Sequence, residues 1–234
     1  MDKLQKYKPT DKMIDLIGDN YSLLQVMSRF GLSLGFGDKT VKEVCEMNNV
    51  DCQTFLVVVN FMAEGFSRMD GSADDISIPA LVDYLRQAHI YFLDYCLPAI
   101  RRKLIEAIDC SQDDVSFLIL KFFDGYRREV RKHMEYEEKT VFKYVDTLIH
   151  GNAPKNYQIS TFSKHHDQVG ERLTELKNII IKYCPAKANT NVLNAALFDI
   201  YACEEGLESH CKVEDYLFVP AILKLERRMR ENEK

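Results

Sequence analysis

No apolar run in this chain approaches the roughly 20 residues that a membrane-spanning helix requires. The opening residues Met1-Asp2-Lys3-Leu4-Gln5-Lys6 also lack the apolar core of a secretory signal, so a cytoplasmic location without membrane attachment is expected. Basic residues are in deficit. There are 36 Asp and Glu against 31 Lys and Arg, a formal net charge of -5, which argues against a general nucleic-acid-binding surface. Cysteine is present, but not in a pattern that would staple a fold. Its seven copies are odd in number and scattered, with no Cys-x-x-Cys pair, which speaks against a zinc knuckle or a disulfide framework. Reduced thiols, most of them buried as small apolar residues, are the plain expectation. Strand-like alternation is missing too, so the chain reads as all-α.

What is there suffices for one large domain, or a small one followed by a medium one. Residues 8–66 read as short helices. Pro9-Thr10-Asp11 starts the first, Asp19-Asn20 ends it before Tyr21–Arg29, and a glycine-rich turn spans Gly31 to Asp38. Thr40-Val41-Lys42-Glu43 has the Thr-x-x-Glu form of a capping box, and Asp51 can cap a helix over Gln53–Ala63. The segment shows no basic recognition helix for DNA. Arg68 to Asp75 is short and polar, so the expected organisation is a small N-terminal helical domain over 1–68, a linker over 69–78 and a second domain over 79–234.

Four long helices are predicted in that second domain. One runs from Pro79 to Ala107 and bends at Pro98, and the next runs from Ser111-Gln112-Asp113-Asp114 to Ile149 before Gly151. A third spans Tyr157–Tyr183, and a fourth begins near Thr190 and breaks before Pro220, leaving a basic piece at Lys224–Arg230. Long helices joined by short connections describe an up-down-up-down four-helix bundle.

The bundle carries one conspicuous repetition: His133-Met134-Glu135-Tyr136-Glu137 is echoed by His210-Cys211-Lys212-Val213-Glu214. Residues four apart share one helix face, so each segment aims an imidazole and a carboxylate at one spot. His89 and His166 lie at matching depths on the other two helices, given a rise of about 1.5 Å per residue. Four imidazoles and two carboxylates can then converge on one layer. Nitrogen and oxygen donors with carboxylates able to bridge suit a pair of iron ions, ahead of manganese or zinc. Adjacent helical residues point about 100° apart, so only one of His165 and His166 can face the core. The stripe Phe162, His166, Val169 and Leu173 selects His166 and leaves His165 at the flank.

The ordered set His89, His133-x-x-x-Glu137, His166-Asp167-x-x-Gly170 and His210-x-x-x-Glu214, followed by Leu217-Phe218, resembles a hemerythrin-like domain. More narrowly, it resembles the di-iron proteins known as RIC, repair of iron centres. That resemblance implies a non-heme di-iron centre with His89, His133, His166 and His210 as terminal ligands and Glu137 and Glu214 as bridges. It implies a role in restoring iron–sulfur clusters under nitrosative or oxidative stress, by donating iron or handling nitric oxide. It also implies damaged iron–sulfur proteins as partners, O2 or NO as a small ligand, and a homodimer through the N-terminal domain. Whether any turnover occurs is left open by the residues. In the family a glutamate one turn before the second-helix histidine lies near the metal; Glu129 matches, with a solvated charge as the alternative reading.

Two departures matter. An oxygen-carrying hemerythrin has a second histidine four residues after the third-helix ligand, where this chain has Gly170, so one coordination position is expected to stay open. The family's N-terminal domain carries an adjacent Cys-Cys before a glycine, whereas the matching turn here reads Leu34-Gly35-Phe36-Gly37. Cys45 and Cys52 lie nearby but across a helix break, which gives no reason to pair them. The missing dithiol raises a second reading, an O2- or NO-binding sensor that signals through its N-terminal domain.

Overall fold

The computed structural model describes residues 6–64, 76–108, 114–152, 157–164, 171–184 and 188–232. Among them there is no strand, only an isolated antiparallel bridge between Lys12 and Thr40. Nor is any helix among them long and apolar enough to cross a membrane. Four helices come first: α1 (Met13–Asp19), α2 (Leu23–Arg29), α3 (Val41–Met47) and α4 (Cys52–Glu64). The long helices follow and form a bundle: α5 (Ile78–Ile90), α6 (Leu97–Ala107), α7 (Asp114–Tyr136), α8 (Phe142–Ile149), α9 (Glu171–Tyr183), α10 (Thr190–Val213) and α11 (Val219–Asn232). Internal contacts divide the chain into one unit of residues 1–88, 148–153 and 212–234 and another of residues 89–147 and 154–211.

In the first unit the capping signals act as their chemistry requires. Thr40 Oγ1 accepts from the Glu43 amide, and the Glu43 carboxylate accepts from the Thr40 amide at 2.8 Å, closing the capping box. Asp51 Oδ1 accepts from the Thr54 amide at 2.7 Å and starts α4. The turn between α2 and α3 needs left-handed backbone at Gly31, Gly35 and Gly37, with φ of 71°, 87° and 64°. Phe30 packs edge-on to Phe55 at 5.4 Å and against Tyr84 at 4.8 Å, tying α5 to α2 and α4. Asn60 holds the chain entering this unit, since its amide bonds both the N–H and the C=O of Tyr7. The proposed linker falls mostly on residues 65–75, outside the described residues.

The second unit is held by charged clasps around an aromatic core that includes Phe92, Phe123, Tyr126 and Phe162. Arg101 of α6 grips Asp124 of α7 through Nε at 2.8 Å and a terminal nitrogen at 3.0 Å. Lys177 of α9 sits over the Tyr201 ring and pairs with Glu204 of α10.

Three π-helical turns interrupt the long helices: Tyr91–Cys96, Glu137–Val141 and Glu214–Phe218. Each closes with an i→i+5 bond, from Leu97 N–H to Phe92, from Phe142 N–H to Glu137 and from Val219 N–H to Glu214. One of them explains a difference from the sequence reading. The helix that begins at Thr190 does not break before Pro220 but continues to Asn232. Pro220 falls in the first turn of α11, directly after a widened turn, where its missing N–H is tolerated. Pro98 likewise sits at the start of α6, behind the first π turn. A second difference lies in the stretch expected to open a helix at Tyr157. Ile159–Lys164 is a 3-10 helix, in keeping with Ser160 and Thr161, whose hydroxyls compete for backbone hydrogen bonds.

Candidate metal centre

The two His-x-x-x-Glu segments share an architecture that spacing alone did not specify. In each, an α-helix carries the histidine, and the glutamate is the first residue of a π turn: His133 on α7 with Glu137, and His210 on α10 with Glu214. A π turn rotates the residues after it relative to those before, and such turns recur at functional sites. Glu137 and Glu214 are wholly buried, and so are His89 (3% exposed) and His210 (1%).

Glu137 is the hub. Its Oε1 lies 2.7 Å from His133 Nε2, and its Oε2 lies 2.8 Å from His89 Nε2 and 4.0 Å from His210 Nε2. The His89 ring stacks on Phe142 at 5.5 Å and meets the His210 ring edge-on at 5.1 Å, while Phe92 packs against His210. Donor atoms of His89, Glu137, His210 and Glu214 all lie within 4.8 Å of one another, Glu214 being one turn beyond His210 on the same continuous helix.

Burial would push the Glu137 carboxyl up, but the His133 and His89 imidazoles beside it hold it well below the usual carboxylate range. Burial would likewise lower His89, yet the carboxylates of Glu137 and Glu138 raise it on balance. The site therefore keeps its carboxylate charged in a dry interior, where such a charge needs a compensating positive group. Two buried imidazoles and two buried carboxylates fit a transition-metal cation on both counts, donor type and charge.

One participant escaped the sequence reading. The Nδ1–H of His89 donates to Glu138 Oε1 at 2.9 Å, which orients the ring and leaves Nε2 turned toward Glu137. Only its position next to Glu137 hinted at this, because an ideal α-helix would point neighbouring side chains well apart.

The remaining candidates are placed as follows. His133 touches Glu137, but its side chain is 15% exposed and it is not among the four that converge. Glu129 lies on the surface, 48% exposed, and pairs with Arg172 of α9, in line with the solvated alternative. His165 and His166, together with Asp167 and Gly170, lie outside the described residues. Cys45 and Cys52 are both free thiols, Cys45 buried and Cys52 half-buried, in keeping with small packing residues and not a linked pair. Burial pushes both thiols up, so they rest protonated.

No curated protein matches the chain. The family model of the Hemerythrin HHE cation binding domain matches residues 80–222, which take in both His-x-x-x-Glu segments as well as His89 and Glu138. A cation-binding family whose matched span contains this buried group of imidazoles and carboxylates accounts for the charge kept in the interior, and the chain belongs to the hemerythrin HHE family.

Proposed function

We propose that the chain is a non-heme di-iron protein of the repair type, acting on iron–sulfur proteins under nitrosative or oxidative stress. In this reading His89, His133, His166 and His210 would each hold iron through a ring nitrogen, and Glu137 and Glu214 would serve as the bridging carboxylates. The observation that carries it is the buried convergence of His89, Glu137, His210 and Glu214. A bound iron pair supplies either labile iron for a damaged cluster or a seat for a diatomic ligand such as NO. The protein's own groups do the rest. Glu138 fixes the tautomer of His89 so that Nε2 carries the lone pair. Phe142 and Phe92 wall the imidazoles off from water. Two carboxylates offset the charge of the cations and so keep a buried site affordable. The domain division proposed with it is an N-terminal helical domain over 1–68 and a metal-binding domain over 79–234, with a homodimer formed through the former.

The test begins with metal content and the visible spectrum of protein purified anaerobically from iron-supplemented cells. About two irons per chain is the expected result, as for a dinuclear carboxylate site in a bundle. The iron-loaded protein should then restore activity to a cluster enzyme damaged by NO. Absence of iron after reconstitution refutes the di-iron reading. Full iron with no restoration, but a change of oligomeric state on adding NO or O2, would replace repair by sensing. The turn Leu34-Gly35-Phe36-Gly37, which lacks the dithiol of the repair proteins, favours that second reading.

A further inference from the structure

Asp124, Arg127, Arg128 and Arg131 follow one another at i, i+3, i+4 and i+7 along α7. That spacing defines one helix stripe, and a stripe facing a neighbouring helix is ordinarily apolar. Here it is fully charged and faces Leu93 and Leu97 across a cleft of about 160 Å³, lined by these six residues.

The charge in the cleft is unbalanced. Its single carboxylate, Asp124, is already gripped by Arg101 and by Arg127, the latter at 3.2 Å. Among the described residues no ion pair reaches Arg128 or Arg131. Of their acidic neighbours on α7, Glu129 pairs with Arg172 and Glu135 with Lys139 at 2.8 Å, the charge of Arg131 reaching Glu135 only at longer range. In a chain of net charge -5, this stripe is a local positive field.

We propose that the cleft is a binding site for a small phosphomonoester with an aliphatic group. The guanidinium fork matches two oxygens of a phosphate, and the exposed Arg128 and Arg131 complement its double charge. Leu93, partly exposed and backed by the buried Leu97, supplies an apolar contact for the carbon portion, which a bare inorganic anion would leave unused. The volume is well below the ~300 Å³ at which drug-sized sites begin, so the cleft suits a fragment. The site is separate from the His/Glu group and does not depend on its metal.

The experiment is calorimetric titration of the full, iron-loaded chain with n-butyl phosphate, inorganic phosphate and n-butanol. Butyl phosphate should bind several-fold tighter than inorganic phosphate, and butanol should not bind. Removing both guanidiniums (R128Q/R131Q) should weaken butyl phosphate by about tenfold per guanidinium, the scale of a hydrogen bond to a charged group. Lys132→Gln, which removes a neighbouring charge outside the cleft, should leave affinity within about twofold, as for an exposed charge. Leu93→Ser should bring butyl phosphate down to the affinity of inorganic phosphate. Binding that survives R128Q/R131Q, an equal loss in Lys132→Gln, or no heat up to about 10 mM ligand would each overturn the assignment. Iron content, measured on every variant, should not change.

Discussion

Replacing Glu137 by Gln keeps the volume of the hub and removes its charge. Wild-type Glu137 has no exposed surface and meets ring nitrogens of His133 and His89 at 2.7 and 2.8 Å. Gln cannot be an anionic ligand, and its NH2 would face imidazole nitrogens where a carboxylate oxygen now sits. The informative quantity is the shift in thermal midpoint on adding ferrous iron without oxygen, taken separately for each protein. That difference cancels whatever the substitution costs the metal-free fold. With free metal 100-fold above its Kd, binding stabilises the wild type by about 2.7 kcal/mol. For a chain of this size each kcal/mol moves the midpoint by about 2–4 °C, so the shift is about 5–11 °C. If Gln weakens the metal by about 100-fold, the same iron concentration equals Kd and the stabilisation falls to about 0.4 kcal/mol, or about 1 °C. Circular dichroism at 222 nm, with a chelator as reference, reads both shifts. A Glu137→Gln protein that keeps the full iron-induced shift would refute the placement of this carboxylate in the site.

Three further outcomes test the surrounding structure. Thr40→Ala removes the capping box at α3 and should cost about 1 kcal/mol in urea unfolding with an unchanged slope, whereas an unaltered midpoint would show that the box does not support the helix. Asn60→Leu strips the partner from both backbone groups of Tyr7, and faster proteolysis of the N-terminal segment in native protein is the expected readout. Asp124 is held below the ordinary carboxylate range by its bonds to Arg101, against a desolvation that would raise it. A depressed folded pKa means that its contribution is present above the unfolded value and is lost as pH falls through the folded one. Asp124→Asn should therefore flatten the acid side of the stability profile below about pH 5 and leave its slope near neutrality unchanged.

Local chemistry made much of this protein readable in one dimension. The Thr40–Glu43 box, the Asp51 cap and the glycine turn depend on hydrogen bonds and backbone angles within a few residues, and the structure has them where the spacing indicates. The all-α class follows from the absence of alternation and from helical periodicity. That His133 and Glu137 share a face is likewise a property of 3.6 residues per turn, and their contact at 2.7 Å expresses it.

Tertiary structure decided what links residues far apart in the chain. Glu138 reaches His89 from 49 positions away, and no local rule pairs them. The π turns could not be read either, since their extra residue is stabilised by packing rather than by propensity. The last of them carries the helix through Pro220, where a proline rule predicts a break. Sequence by itself determined which groups could face one another along a helix. The three-dimensional fold determined which of them share one dry interior, because burial and charge balance are sums over helices that the chain order keeps apart.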